Sequence, residues 1–287
     1  TRIMRVIETK VYEANKLNVV SYFDGMSNGQ IALNELGIAI ENYNAFEIDK
    51  YAISITQKNN PKTTQNGSVV GADLKKLPKT DLFIGGSPCQ SFSIAGDGTG
   101  FEGKSGLFFE FVKAKEILKP KYWMLENVVM KKEWEKVITN TLGVEPIKIN
   151  SADFGAQNRN RLFWTNIPVD DIDFENSKTL KDILTNDFSE KTVKDTDRNL
   201  RHERSLDRKS LTCTATMYKG AGNNGMTLIR RPKQKELSVL NVQEVELLMN
   251  VPLGYTEGVS NSQRYKMLGN GWDVKVIKHI FKNIPLT

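Results

Sequence analysis

Three short clusters carry residue types that can do chemistry. Cys89 follows Gly85-Gly86-Ser87-Pro88 and precedes Gln90, Glu126 opens Glu126-Asn127-Val128, and Arg159 and Arg161 end the run Gln157-Asn158-Arg159-Asn160-Arg161. A thiol, a carboxyl and a guanidinium pair together suit covalent addition to an electron-poor ring such as cytosine. A thiolate attacking C6 destroys the aromaticity of the ring. A neighbouring carboxyl then protonates N3, and an arginine polarises O2. Carbon 5 becomes nucleophilic and can accept a methyl group from a sulfonium donor. Free cysteine is only a few per cent thiolate at neutral pH but is intrinsically very nucleophilic.

Each cluster also has an ordinary reading. Cys89 could be a buried structural thiol, Glu126 a turn former, and the arginines part of a surface ion-pair ladder. A loop rich in Gly, Ser and Pro is a poor place to bury a thiol. Arginines spaced by two share one face of a strand, and paired guanidiniums suit a phosphate or a carbonyl oxygen. Cys213, in Leu-Thr-Cys-Thr-Ala-Thr, reads as a structural residue on an alternating strand. Thr212, Thr214 and Thr216 would share one face of that strand. His202 and His279 are the only histidines and lie far apart, so no metal is expected.

The elements that must position these clusters alternate. Strands are predicted at 18–23, 45–49, 69–73, 81–85 and 122–125. Helices are predicted after Ser27 or Asn28 (ending at Gly37), from Tyr51 to about Lys58, over 107–118 and over 134–142. The alternation predicts an α/β fold, a mostly parallel sheet with helices on both faces. Glu47, Asp49, Asp73, Cys89 and Glu126 all fall at or just beyond C-terminal strand ends, the edge where open α/β sheets hold ligands. Two antiparallel strands, 146–149 and 161–164, flank the arginine run. From about 170 to 231 the pattern loosens, and it recovers as helices around 242–249 and 274–281.

The 287 residues suffice for one catalytic domain plus a small module. Net charge is +6, but it is segregated. Residues 191–235 hold twelve Lys or Arg against four Asp or Glu, which suits a surface for an anionic polymer. No apolar run reaches eighteen residues, so no transmembrane helix is expected. The first residues lack the apolar core of a signal peptide, and two cysteines fit a reducing cytoplasm rather than a disulfide framework.

In this order, the motifs resemble those of the DNA cytosine-5 methyltransferases. Phe23-Asp24-Gly25 is similar to that family's first motif, Pro88-Cys89-Gln90 to its nucleophile motif, Glu126-Asn127-Val128 to its acid motif, and Gln157 to Arg161 to its Gln-X-Arg-X-Arg motif. Leu240 to Pro252 resembles the helix that supports the recognition domain, and Gln263 to Asn270 the last cofactor motif. Ser21 to Gly29, Glu126-Asn127-Val128-Val129 and the stretch from Gly271 to Phe281 are similar to the eukaryotic de novo branch. The compact length and Gln90 suggest a phage or bacterial member. An arginine usual in the family just before the supporting helix is missing at Ser238 and Val239, which leaves open what anchors the recognition domain.

The resemblance implies a Rossmann-like S-adenosylmethionine-dependent methyltransferase fold with a small target-recognition domain. It implies a catalytic domain from 1–169 (with 1–17 an N-terminal extension) completed by 236–287, and a target-recognition domain over 170–235. It further implies S-adenosylmethionine as donor, S-adenosylhomocysteine as product, and double-stranded DNA as partner, with the oligomeric state open. Cys89, Glu126, Arg159 and Arg161 would be catalytic. Phe23, Asp24, Gly25, Met26, Ser27, Glu47, Ile48, Asp73, Leu74, Pro88, Leu107, Asn270, Gly271 and Trp272 would hold the cofactor, although Trp272 alone reads as a packing residue. Gln90, Ser91, Lys219, Asn223, Asn224 and Arg230 would contact DNA. A branch that modifies transfer RNA carries an extra Cys-Phe-Thr element not seen here, and a catalytically dead DNA-binding relative would be expected to lose Cys89 or Glu126.

Overall fold

Period-two alternation of large apolar side chains splits each central strand between two cores. The computed structural model describes residues 16–88, 104–219 and 225–285. Within these, the elements run β1 (Leu17–Tyr22), α1 (Asn28–Glu35), β2 (Ile40–Phe46), α2 (Lys50–Asn59), β3 (Thr64–Gln65), β4 (Leu82–Gly86), α3 (Phe108–Leu118), β5 (Tyr122–Val128), α4 (Lys132–Leu142), β6 (Ile147–Asn150), β7 (Asn160–Thr165), β8 (Thr192–Val193), α5 (Asp197–Leu200), β9 (Leu228–Arg230), β10 (Leu237–Val239), α6 (Val242–Leu248), α7 (Asn261–Asn270) and α8 (Val274–Phe281). Seven strands form one sheet in the order β3-β2-β1-β4-β5-β7-β6. The first five are parallel, and β7 runs antiparallel to both β5 and β6.

Val19, Leu82, Ile84, Met124 and Phe163 face a core shared with α1, α6, α7 and α8. Their neighbours Val20, Phe83, Leu125 and Trp164 face a second core with α3 and α4. Burial on both faces removes the polar alternation that a one-sided sheet would show. The strand order reverses between β1 and β4, so the crevice at their C-terminal ends is the ligand position that such sheets provide.

Several elements differ from their predicted positions. The second strand starts at Ile40 and ends at Phe46, so Glu47 to Asp49 lie beyond it. The predicted strand at 69–73 is a turn, and the edge strand is the shorter Thr64–Gln65. Gly67 and Gly71 sit at φ +75° and +76°, which breaks the extended run around Val69 and Val70. Ser27 stands at the N-cap of α1 but makes no side-chain cap, because its φ is +63° and its hydroxyl donates to Asp24 instead. Cys213 and Thr212 to Thr216 lie on no strand. Thr212 donates to the Asn158 carbonyl at 2.6 Å, and the Thr214 and Thr216 hydroxyls bond each other at 3.2 Å.

A second sheet, β8-β10-β9, is antiparallel. It includes Leu237–Val239 and so passes the predicted boundary at 235. Its anchor is Arg231, whose side chain is 1% exposed. The guanidinium donates to both Glu244 carboxylate oxygens at 2.7 and 2.8 Å, to the carbonyls of Asn186 and Val239, and to the Ser238 hydroxyl. Glu244 also closes the N-terminal capping box of α6 with Asn241. The arginine missing at Ser238 is thus supplied from beyond β9, and its Nε reaches that same serine.

Removing one member of such a pair strands a buried charge, at a cost of about 3–5 kcal/mol. Arg231→Met should lower unfolding free energy by that amount in urea titration. Arg231→Met combined with Glu244→Gln should regain more than half of it, since no unpaired charge remains and Gln can still cap α6.

Candidate functional site

The turn after β1 is shaped by one half-buried carboxylate. Asp24 accepts hydrogen bonds from the hydroxyls of Ser27 and, at 2.8 Å, Tyr43. Phe23, Gly25 and Ser27 all adopt positive φ. For Phe23 and Ser27 that conformation costs on the order of 1–2 kcal/mol each, so the bonds to Asp24 hold a turn the chain would otherwise leave. Burial, partly offset by hydroxyl donors, pushes the Asp24 carboxyl up to about 6. Beyond β2, Glu47 accepts from three backbone donors: Gly25 N–H at 2.8 Å, and Ile48 and Asp49 N–H at 2.7 Å each.

These segments line a cavity of about 480 Å³ at the carboxyl edge of the sheet. Phe23 to Gly25 follow β1, Phe46 to Asp49 follow β2, and Gly67 to Val70 follow β3. Gly86 to Pro88 end β4, Glu126 to Val128 end β5, Arg159 and Arg161 open β7, and Asn270 to Trp272 end α7. Leu107 also lines it. Ile48 is 77% and Val70 60% exposed, so two large apolar side chains flank the cavity with no packing partner covering them among the described residues. Asn28, a lining residue, is buried, and its Oδ1 is a buried atom with no hydrogen-bond partner among the described residues.

At the other end of the cavity sits the Glu126 carboxylate. Arg161 Nε forms an ion pair with Oε1 at 3.0 Å, and Trp272 Nε1 donates a hydrogen bond to Oε2 at 3.0 Å. Arg159 is turned away from this carboxylate and fully buried in bonds. Its guanidinium donates to the carbonyls of Cys213 (2.7 Å), Gly269 (3.1 Å) and Gly271 (2.9 Å). Burial first, then the neighbouring Arg161 charge, lowers it to about 10, so it stays cationic at neutral pH. Gln157, also buried, accepts from Cys213 N–H and donates to the Leu248 carbonyl. Burial pushes the Cys213 thiol up to about 12, consistent with a structural role.

The structure therefore brings together Phe23, Asp24, Gly25, Glu47, Ile48, Pro88, Leu107, Glu126, Arg159, Arg161, Asn270, Gly271 and Trp272. It does not bring in four expected residues. Met26 and Ser27 are buried in the turn behind the wall. Leu74 is buried in the second core. Asp73 pairs with Lys76 at 3.1 Å on the surface, because the turn at Gly71 carries it past the cavity. Val69, Val70, Lys266 and Met267 line it without having been singled out. The first two were masked by the misplaced strand, and the latter two lie within the 263–270 motif but carry no local chemical signal.

Arg230 is not available to a ligand as expected: its guanidinium is bonded to Glu203, Asp195 and the Lys235 carbonyl. Lys219 is exposed. Cys89, Gln90, Ser91, Asn223 and Asn224 lie outside the described residues. Pro88, the residue before Cys89, lines the cavity wall.

Comparison with known proteins agrees with this arrangement. The sequence profile of the C-5 cytosine-specific DNA methylases matches residues 17–219 and 188–285. The chain is 38% identical over 169 residues to the orphan methyltransferase M.SPRI of Bacillus phage SPR, covering 54% of this chain and 38% of that one. It thus spans well under half the length of that relative. It is 26% identical to the type II methyltransferase M.HhaI of Haemophilus parahaemolyticus, covering 97% of each. Among solved structures, Entamoeba histolytica methyltransferase EhMeth superposes with TM-score 0.73 at 19% identity, covering 93% of this chain and 97% of that one. S. pombe Dnmt2 superposes with TM-score 0.69, also at 19% identity and over 93% and 97%. At that identity the structural likeness establishes the Rossmann-like methyltransferase fold alone. With the profile spanning nearly the whole described chain, the protein belongs to the C-5 cytosine-specific DNA methylase family.

Proposed function

We propose that the chain methylates C5 of a cytosine turned out of duplex DNA, with S-adenosylmethionine as donor and Cys89 as the nucleophile. The observation that carries this reading is the Glu126–Arg161 pair set into the same cavity as Glu47 and the chain leading to Cys89. Flipping is required because the ring atoms cannot be reached inside the stack.

The cavity fits the donor. Glu47, immobilised by three N–H groups, keeps lone pairs for ribose hydroxyls. Ile48 and Val70 offer apolar faces to a flat base, and Phe23 a further aromatic surface. When bound, the donor supplies an electrophilic methyl group on a sulfonium. The chain's own residues do the rest. Cys89 adds to C6, Glu126 delivers a proton to N3, and the Arg161 guanidinium beside it stabilises charge at O2. Arg159, bonded to three carbonyls, supports the segment that closes the cavity. A water-excluded pocket makes these fixed charges count for more than they would in bulk solvent.

Residues 170–235 together with β10 would form the target-recognition module. Its excess of cations would bind the phosphate backbone, with affinity falling as salt rises. Lys219 is an exposed candidate, and phosphate contact is the usual fate of such a cation. Gln90, Ser91, Asn223 and Asn224 complete the proposed contacts from the sequence.

Cys89→Ser should abolish transfer of tritiated methyl to duplex DNA while calorimetry shows donor affinity near that of the unaltered chain. Residual turnover within about tenfold would refute the nucleophile, since losing one costs far more. Asp24 makes a second prediction. A sulfonium cation favours the ionised Asp24 carboxylate, so below about pH 6 binding must expel a proton. Donor affinity should therefore fall as pH drops from 7 to 5, by at most about tenfold per unit. Asp24→Asn should flatten that dependence, and an unchanged slope would show that Asp24 does not sense the ligand.

A further inference from the structure

Trp272 sits in a seat built from several parts of the sequence. Its carbonyl accepts from Asn28 Nδ2 at 2.5 Å. The turn just before it is held by Arg159, which bonds the carbonyls of Gly269 and Gly271. Its indole lies against Gly86, where a Cβ would stand 2.9 Å from Nε1 and 3.0 Å from Glu126 Oε2. Only glycine leaves room there for the indole and the carboxylate to meet. The indole N–H, so placed, donates to Oε2 while Arg161 takes Oε1.

We propose that Trp272 is a positioning residue for the acid. Its N–H fixes the rotation of the Glu126 carboxyl group so that the oxygen position carrying the transferred proton faces the base, and Arg159 acts on the same group at one remove by holding the 269–271 turn. The two arginines of the 157–161 motif thereby serve one group from opposite sides, Arg161 directly and Arg159 through Trp272. A carboxylate held by a single donor can swing about its Cγ–Cδ bond. A hydrogen bond on one oxygen and an ion pair on the other remove that freedom, which is how a fixed shell preorganises a catalytic group. This role differs from lining the donor's pocket, because it acts on base activation even when no donor is bound.

The inference rests on the proposed reaction, and a donor-free partial reaction separates the two. Cys89 adds to C6 as Glu126 passes a proton to N3. C5 then takes a proton from solvent. Loss of the original C5 hydrogen, expulsion of the thiolate and return of the N3 proton to Glu126 regenerate cytosine. Tritium released from duplex DNA carrying 5-tritiated cytosine therefore reports base activation alone.

Trp272→Phe removes the N–H but also shrinks the ring. A benzothienylalanine at 272 keeps the bicyclic shape and places sulfur where the indole has N–H. With the isostere, tritium release should fall about ten- to hundredfold, the scale of one hydrogen bond to a charged group, while calorimetric donor affinity stays within about threefold. In a Glu126→Gln background the same replacement should cost less than about twofold. Unchanged release with weakened donor binding would overturn the role of Trp272 alone, as would full additivity with Glu126→Gln. Absence of release by the unaltered chain would overturn the reaction and this proposal with it.

Discussion

A carboxylate buried at the end of a parallel strand is the constraint that organises this molecule. Glu126 cannot sit there as a charge without partners, because an unpaired buried carboxylate costs several kcal/mol. Its partners come from far away in sequence: Arg161 on the neighbouring antiparallel strand and Trp272 after α7. The sheet order that sets β7 beside β5, and the packing that returns α7 and α8 over the sheet, are the means of delivering them. The two-faced burial of the strands keeps that delivery rigid.

The smaller sheet is tied on by the same device. Arg231 and Glu244 form a buried bidentate pair, and the carboxylate that accepts the guanidinium also caps α6. Buried ion pairs often add little net stability compared with apolar replacements. What this pair fixes is position. It aligns the strands of the smaller sheet with the helix that packs beside α7, and thus with the segment that holds Trp272. The smaller sheet shares the main core through residues such as Leu228, Ile229 and Leu237, so it is continuous with the seven-stranded sheet.

Much of this was legible from residue order, and the gaps have physical causes. Val19 to Tyr22, Leu82 to Ile84 and Tyr122 to Leu125 declare themselves as strands because dense apolar runs bounded by turn residues have few other fates. Glu47 and Glu126 followed from the rule that such sheets bind ligands at carboxyl ends. Asp73 was misplaced because Val69-Val70 imitates a strand, while glycines at positive φ on either side make it a turn. The 170–239 region was opaque since its strands are two or three residues long, too short for any period to register. Arg230 read as a free cation because its partners Asp195 and Glu203 are brought to it only by folding. Trp272 read as packing for the same reason: its carboxylate partner is 146 positions away, and nothing local marks the indole as a donor.

The central claim, a transient sulfur–carbon bond at C6, is tested most directly with a duplex bearing 5-fluorocytosine in a methylatable site. Fluorine at C5 cannot leave as a proton does, so the adduct should persist after methyl transfer. Mass spectrometry should find a one-to-one protein–DNA adduct carrying the donor's methyl group, with the linkage mapped to Cys89. Methyl transfer to adenine or to an exocyclic amine, with no adduct at Cys89, would contradict the account at its first step.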